Sequence, residues 1–119
     1  MSKKLTTGPV DRDFFEDDLA NWHLELFNNG DEKVKVKLEV FQLEPPALIG
    51  TNHTKLHPGE YNNLTVDTQG NEHTLVVITI SDEEKDILLT LYGRNNNNDN
   101  LSGAVYQRAL LVKIDKIEI

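Results

Sequence analysis

The chain has 119 residues, 20 of them acidic against 12 basic, for a formal net charge of −8, and it has no cysteine. That length suits one domain with a single modest core. The charge disfavours nucleic-acid backbones and anionic membranes as partners, the missing thiols exclude disulfides and thiolate chemistry, and no apolar run is long enough to span a bilayer.

Residues 1–9 are polar around Leu5 and end in a Gly8-Pro9 joint, so they read as a detachable N-terminal arm ahead of a domain over 10–119. Lys3 and Lys4 have no apolar segment behind them, so a secretory signal is not expected. From Val10 to Ala20 we read an extended arm leading into a short turn that Asp11 caps, with Phe14, Phe15 and Leu19 against a sheet. A continuous strand carrying Val10 and Phe14 on one face is the alternative.

The stretch Ala20 to Leu43 organises the rest. Trp22, Leu24 and Leu26 alternate with His23 and Glu25, and Val34, Val36, Leu38 and Val40 alternate with Lys35, Lys37 and Glu39. Period two puts each apolar set on one face of a pleated strand. Asn29-Gly30 favours a hairpin turn between them, although the polar residues 28–33 also allow a longer loop. Pro45-Pro46 stops the second strand as a stiff connector. Pro58-Gly59 fits a type II turn, followed by a strand carrying Leu64 and Val66 and a turn at Gln69-Gly70-Asn71.

His73 to Ile80 is the most apolar strand and is placed centrally, with Asp86 to Arg94 as its antiparallel partner across the charged turn 81–85. The asparagine-rich stretch 95–103 reads as a surface loop that buries nothing. A last strand runs from Ala104 to Ile119, and its apolar face switches near Asp115, implying a bulge, a change of sheet or a contact with another chain. The sum is an all-β chain of seven or eight short strands in a single antiparallel β-sandwich, Ig-like or jelly roll, with an N-terminal extension.

No constellation for catalysis emerges. His53 and His57 have a helical metal-pair spacing, but on a strand they stand ~13 Å apart. Asp13, Glu16, Asp17 and Asp18 lack the glycine and alternating oxygens of a calcium loop, so they read as a solvated patch. Glu83 and Glu84 are adjacent acids in an exposed turn, whereas sugar hydrolysis needs acids across a cleft. Ser2, Ser81 and Ser102 sit in no nucleophile elbow, and no glycine-rich loop cradles phosphate. His23 and His73 read as surface or edge residues. Asn52, Asn63 and Asn100 match the glycosylation pattern by chance in an asparagine-rich chain. Trp22 belongs to the core, which leaves Tyr61 and Tyr92 as the pair able to stack on a sugar. No metal and no cofactor is expected, and the chain is not expected to be an enzyme.

The segments Trp22 to Gly30, Val34 to Val40, Leu56 to Glu60 and Leu64 to Val66 are similar to extracellular Ig-like modules, a likeness of fold that hosts many functions. The polar arm Ser2 to Pro9, the all-β body and the asparagine content together resemble the subunits of Bacillus endospore appendages, though without the connector cysteines that cross-link those subunits. The resemblance implies a structural subunit that polymerises head-to-tail with itself by non-covalent strand addition. It also implies placement at the spore or cell surface without a secretory signal peptide, with an anchor or tip protein as a further partner. Cytoplasmic placement is the alternative. Leu5, Thr6, Thr7, Val10, Phe14, Ile117 and Ile119 would form the assembly interface. Ordering an eight-residue arm costs about 1–2 kcal/mol per residue, while burying Leu5, Val10 and Phe14 returns about 1.5–3 kcal/mol each, so the arm needs a second contact. The alternative function is a monomeric module that recognises carbohydrate or protein through its loops.

Overall fold

The computed structural model describes residues 2–81 and 86–118, and among these it places nine strands and no α-helix. The strands are β1 (Lys3–Asp11), β2 (Asn21–Asn28), β3 (Val34–Leu43), β4 (Pro46–Leu56), β5 (Tyr61–Asp67), β6 (His73–Ile80), β7 (Ile87–Arg94), β8 (Asn100–Gln107) and β9 (Val112–Ile114). They form two antiparallel sheets, one of five strands in the order β4-β3-β6-β1-β9 and one of four in the order β5-β2-β7-β8. The sheets stack as a β-sandwich. Trp22, Leu24, Leu26 and Leu91 from the four-stranded sheet meet Val36, Leu38, Val40, Val76 and Ile78 from the other in one core.

The alternation read from the sequence is present, but the pairing differs. β2 and β3 are not a hairpin: β2 pairs with β5 and β7, and β3 pairs with β4 and β6. Their apolar sets face the same core from opposite sheets, and alternation reports the face a residue takes, not the neighbour its strand takes. The link between them is a crossover held by Asn28. Its buried amide donates to the carbonyls of Glu32 at 2.8 Å and Leu56 at 3.0 Å, and its Oδ1 accepts from the Gly30 N–H at 2.9 Å. β6 and β7 are likewise divided between sheets, and residues 82–85 of their link, with Glu83 and Glu84, lie outside the described residues.

The consecutive strands that do pair are β3 with β4, across the turn at Glu44-Pro45, and β7 with β8. Pro45-Pro46 is thus a tight turn and not a spacer. Three of the remaining pairings are nested, β3 with β6, β2 with β7 and β1 with β9, as in an antiparallel ribbon rolled up on itself, and β1 with β6 and β2 with β5 complete the two sheets. β6 is the middle strand of its sheet, as its apolar run implies. Its inner side chains Val76, Ile78 and Ile80 enter the main core. Its outer pair Leu75 and Val77 joins Phe41 in a second cluster, packed by Leu43, Ile114 and Ile117.

Residues 3–9 are not a free arm. β1 runs through the expected boundary at residue 9 and lies between β6 and β9. The Gly8-Pro9 joint is a bulge inside the strand, with Gly8 at φ +71°, Thr6 Oγ1 donating to the Val76 carbonyl and Thr7 Oγ1 accepting from the Val76 N–H. The bulge lets a polar-looking segment continue as a strand with Leu5 and Val10 both buried. Beyond it, Asp11 Oδ1 accepts from the Asp13 N–H at 2.9 Å and caps a 3-10 turn over Arg12–Phe14. The chain end is two strands and not one: β8 ends at Gln107, a 3-10 turn over Arg108–Leu110 follows, and β9 joins the other sheet. The change of sheet thus comes several residues before Asp115.

Candidate functional site

The outer face of the four-stranded sheet presents the most organised exposed surface. On β2, Trp22, Leu24 and Leu26 point into the core, so Asn21, His23, Glu25 and Phe27 point out. The register turns these into rows across the sheet. Tyr61 of β5, Phe27 of β2 and Leu88 of β7 are directly opposite one another, with 57%, 37% and 55% of their surfaces exposed. The next row is polar: Asn63, Glu25, Thr90 and Gln107. A third row holds Thr65, His23, Tyr92 and Val105. Glu25, Phe27, Tyr61, Leu88, Thr90 and Gln107 are among the residues that line an open groove of about 510 Å³ here.

The middle of this face is pre-set by a buried histidine. His23 Nδ1 lies 2.8 Å from Thr65 Oγ1 and Nε2 lies 3.3 Å from Glu25 Oε2. The neutral tautomer with Nε2–H donating to Glu25 leaves Nδ1 to accept from the Thr65 hydroxyl, so both contacts are satisfied. Burial pushes the His23 pKa below its ordinary 6.5 and the charge of Arg94 pushes the same way, against the smaller opposing pull of Glu25. Arg94 Nη2 stands 3.9 Å from the same Glu25 carboxylate and so helps fix its direction. The Tyr92 ring lies beside the imidazole, centroids 6.5 Å apart. His23 is therefore neither a surface nor an edge residue, because β2 has a strand on each side.

The residues singled out from the sequence scatter. Leu5, Thr6 and Val10 are buried in their own molecule, and Thr7 is half-buried in the bulge. Phe14 is 79% exposed at the 3-10 turn, while Phe15 and Leu19 take the core positions. Ile117 packs on the cluster of Phe41, Leu75 and Val77, and Ile119 lies outside the described residues. Trp22 is fully buried and its Nε1–H donates to Thr74 Oγ1 at 3.3 Å. Tyr106 packs on Trp22, centroids 5.9 Å apart. Tyr61 and Tyr92 do share one face. The sequence reading missed Phe27 and Leu88 between them. Both are out of phase with the core residues on either side, which was a usable signal. Among the described residues, no group of three or more His, Asp or Glu side chains is placed to hold a metal ion, and no helix is long and apolar enough to cross a membrane.

No family model matches the chain, and no curated protein does. Among solved structures, the crystal structure of Thermotoga maritima 1070 is similar at 12% identity, over 88% of this chain and 90% of that one, with a TM-score of 0.49. The functional reading therefore rests on the residues of this chain.

Proposed function

We propose that the protein is a non-catalytic binding module that holds a neutral oligosaccharide on the outer face of its four-stranded sheet, and not on its loops. The observation that supports this is the row Tyr61–Phe27–Leu88 beside the row Asn63–Glu25–Thr90–Gln107. Aromatic faces take the C–H face of a pyranose, and fixed carboxylate and amide groups one row away take its hydroxyls. The two rings stand on neighbouring strands ~4.8 Å apart, which gives a platform about as wide as two sugar rings. Size separates this from a protein partner. Three side chains about half exposed offer ~300 Å² of apolar surface, less than the ~450 Å² apolar share of the ~800 Å² per partner in a stable protein interface.

The test is a glycan array probed with the labelled chain, followed by calorimetry on any hit. Phe27→Ala and Tyr61→Ala are each expected to weaken binding ~10-fold, with the melting temperature of Tyr61→Ala near that of the parent and that of Phe27→Ala, a side chain nearly two thirds buried, lower by a few degrees. An array with no hits from folded protein, or a hit indifferent to both substitutions, refutes the proposal.

Assembly into a spore- or cell-surface fibre is a second reading, favoured by one feature. β9 is a three-residue edge strand followed by a tail that covers Phe41, Leu75 and Val77 through Ile114 and Ile117. A neighbour's copy of this segment fits the same place. Exchange of β1 is the weaker variant, because β1 has a partner on each side. Negative-stain microscopy and light scattering at high concentration decide it: fibres or a size series support it, and a monodisperse monomer refutes it.

A further inference from the structure

The opposite outer face, on the five-stranded sheet, carries a concentration of positive charge that the net charge of −8 conceals. Lys35 and Lys55 face each other across β3 and β4. The next row runs His53, Lys37, Thr79 and Lys4 across β4, β3, β6 and β1. Four of the twelve basic residues thus share one patch about two rows deep. Three of them, Lys35, Lys37 and Lys55, line a cavity of about 380 Å³ together with His53, Thr79 and Ser81. Among the described residues, one carboxylate comes within ion-pair distance of any of these lysines: Glu39, 3.7 Å from Lys37 Nζ. Lys4 Nζ donates to Thr79 Oγ1 at 3.0 Å, which holds that hydroxyl at the rim.

We infer that this cavity is a binding site for a small ligand bearing a phosphate or sulfate ester. Like charges on facing positions of a sheet repel and cost stability, so Lys35 opposite Lys55 is an arrangement that an anion between them relieves. Ammonium groups give charge-assisted hydrogen bonds to a tetrahedral oxyanion, and the hydroxyls of Thr79 and Ser81 supply neutral donors. The rest of the molecule selects for size. A long polyanion such as nucleic acid would leave the patch and meet a surface whose net charge repels it, whereas one ester group stays on the patch, where the lysines outnumber the one carboxylate, Glu39, that pairs with any of them among the described residues. This face points away from the aromatic row, so the inference stands independently of the oligosaccharide reading.

The experiment is an NMR titration of the whole chain with sodium phosphate, sodium sulfate, glucose 6-phosphate, glucose 6-sulfate and plain glucose, at constant ionic strength. Saturable shifts of the His53, Lys37 and Lys55 signals with the anions, and none there with glucose, are expected. The phosphate and sulfate arms tell which ester fits better. Lys37→Gln and Lys55→Gln are each expected to weaken binding ~5–10-fold, with Lys113→Gln, an exposed lysine off the patch, unchanged. Unsaturable shifts, or losses equal in all three variants, show generalised screening and overturn the assignment. Both substituted lysines are exposed, and unchanged spectra elsewhere in the chain establish that each variant is folded.

Discussion

Replacing Asn28 by alanine tests the architecture at its least obvious point. The side chain is buried at the crossover from β2 to β3, where it makes three hydrogen bonds to backbone groups of Glu32, Leu56 and Gly30. At about 1 kcal/mol net per hydrogen bond, the loss is about 3 kcal/mol. Against a total stability of about 5–15 kcal/mol for a domain, that is a large fraction. With a shift of roughly 4 °C per kcal/mol at this chain length, the melting temperature falls by about 10–15 °C. The exposed neighbour Asn29→Ala is the control, since its N–H bond to the Asp86 carbonyl is made by the backbone and survives. The assay is urea unfolding followed by Trp22 fluorescence. Were residues 28–33 a solvated hairpin turn, both substitutions would cost little. Midpoints for the two variants within the equivalent of 1 kcal/mol would refute the crossover.

Gly93→Ala should destabilise by about 1–3 kcal/mol in the same assay, because a Cβ there stands 2.8 Å from both Ala104 Cβ and Leu19 Cδ1; an unchanged midpoint would contradict this packing. His23 is held neutral by burial, so the unfolded chain binds its proton more readily than the native one. Its contribution to stability is complete above the unfolded value near 6.5 and is lost as pH falls through the lower native value. An NMR titration of the imidazole should give a midpoint below 6.5, and one at or above it would count against the arrangement. Trp22, the single tryptophan, should emit at short wavelength and resist quenching by acrylamide until the protein unfolds, whereas ready quenching in the native state would place it outside the core.

Much of the burial pattern was legible because it depends on local order alone. Alternation along β2 and β3 fixed which side chains face inward, the unbroken apolar run of β6 fixed its central place, and Pro58-Gly59 fixed a turn in which Gly59 takes φ +80° and the Glu60 N–H returns to the His57 carbonyl at 3.1 Å. Pairing was not legible, because the same alternation serves a hairpin and a crossover equally well. β1 was hidden by composition: lysines and threonines flank Leu5, and the bulge at Gly8 breaks the periodicity that would have joined Leu5 to Val10. The asparagine run was read as burying nothing, yet Asn95 is buried and its Oδ1 accepts from the N–H groups of Asn97 and Asp99 at 2.9 and 3.0 Å. Of the candidate site, Tyr61 was visible, whereas Tyr92 lies on the same face two rows away. The rest needed the register, which alone brings Phe27 opposite both Tyr61 and Leu88.

The nested pairing also decides when during synthesis this protein can fold. Within its first 67 residues the chain can close only the pairs β2–β5 and β3–β4, and β1, although made first, waits for β6 and then β9. Few contacts are local, which places folding in the slow range of milliseconds to seconds. A ribosome-bound half-chain would therefore carry bare strand edges and Val-rich faces with nothing to cover them. Such a chain is best served by rapid translation of its second half or by a chaperone that shields β3 until β6 arrives.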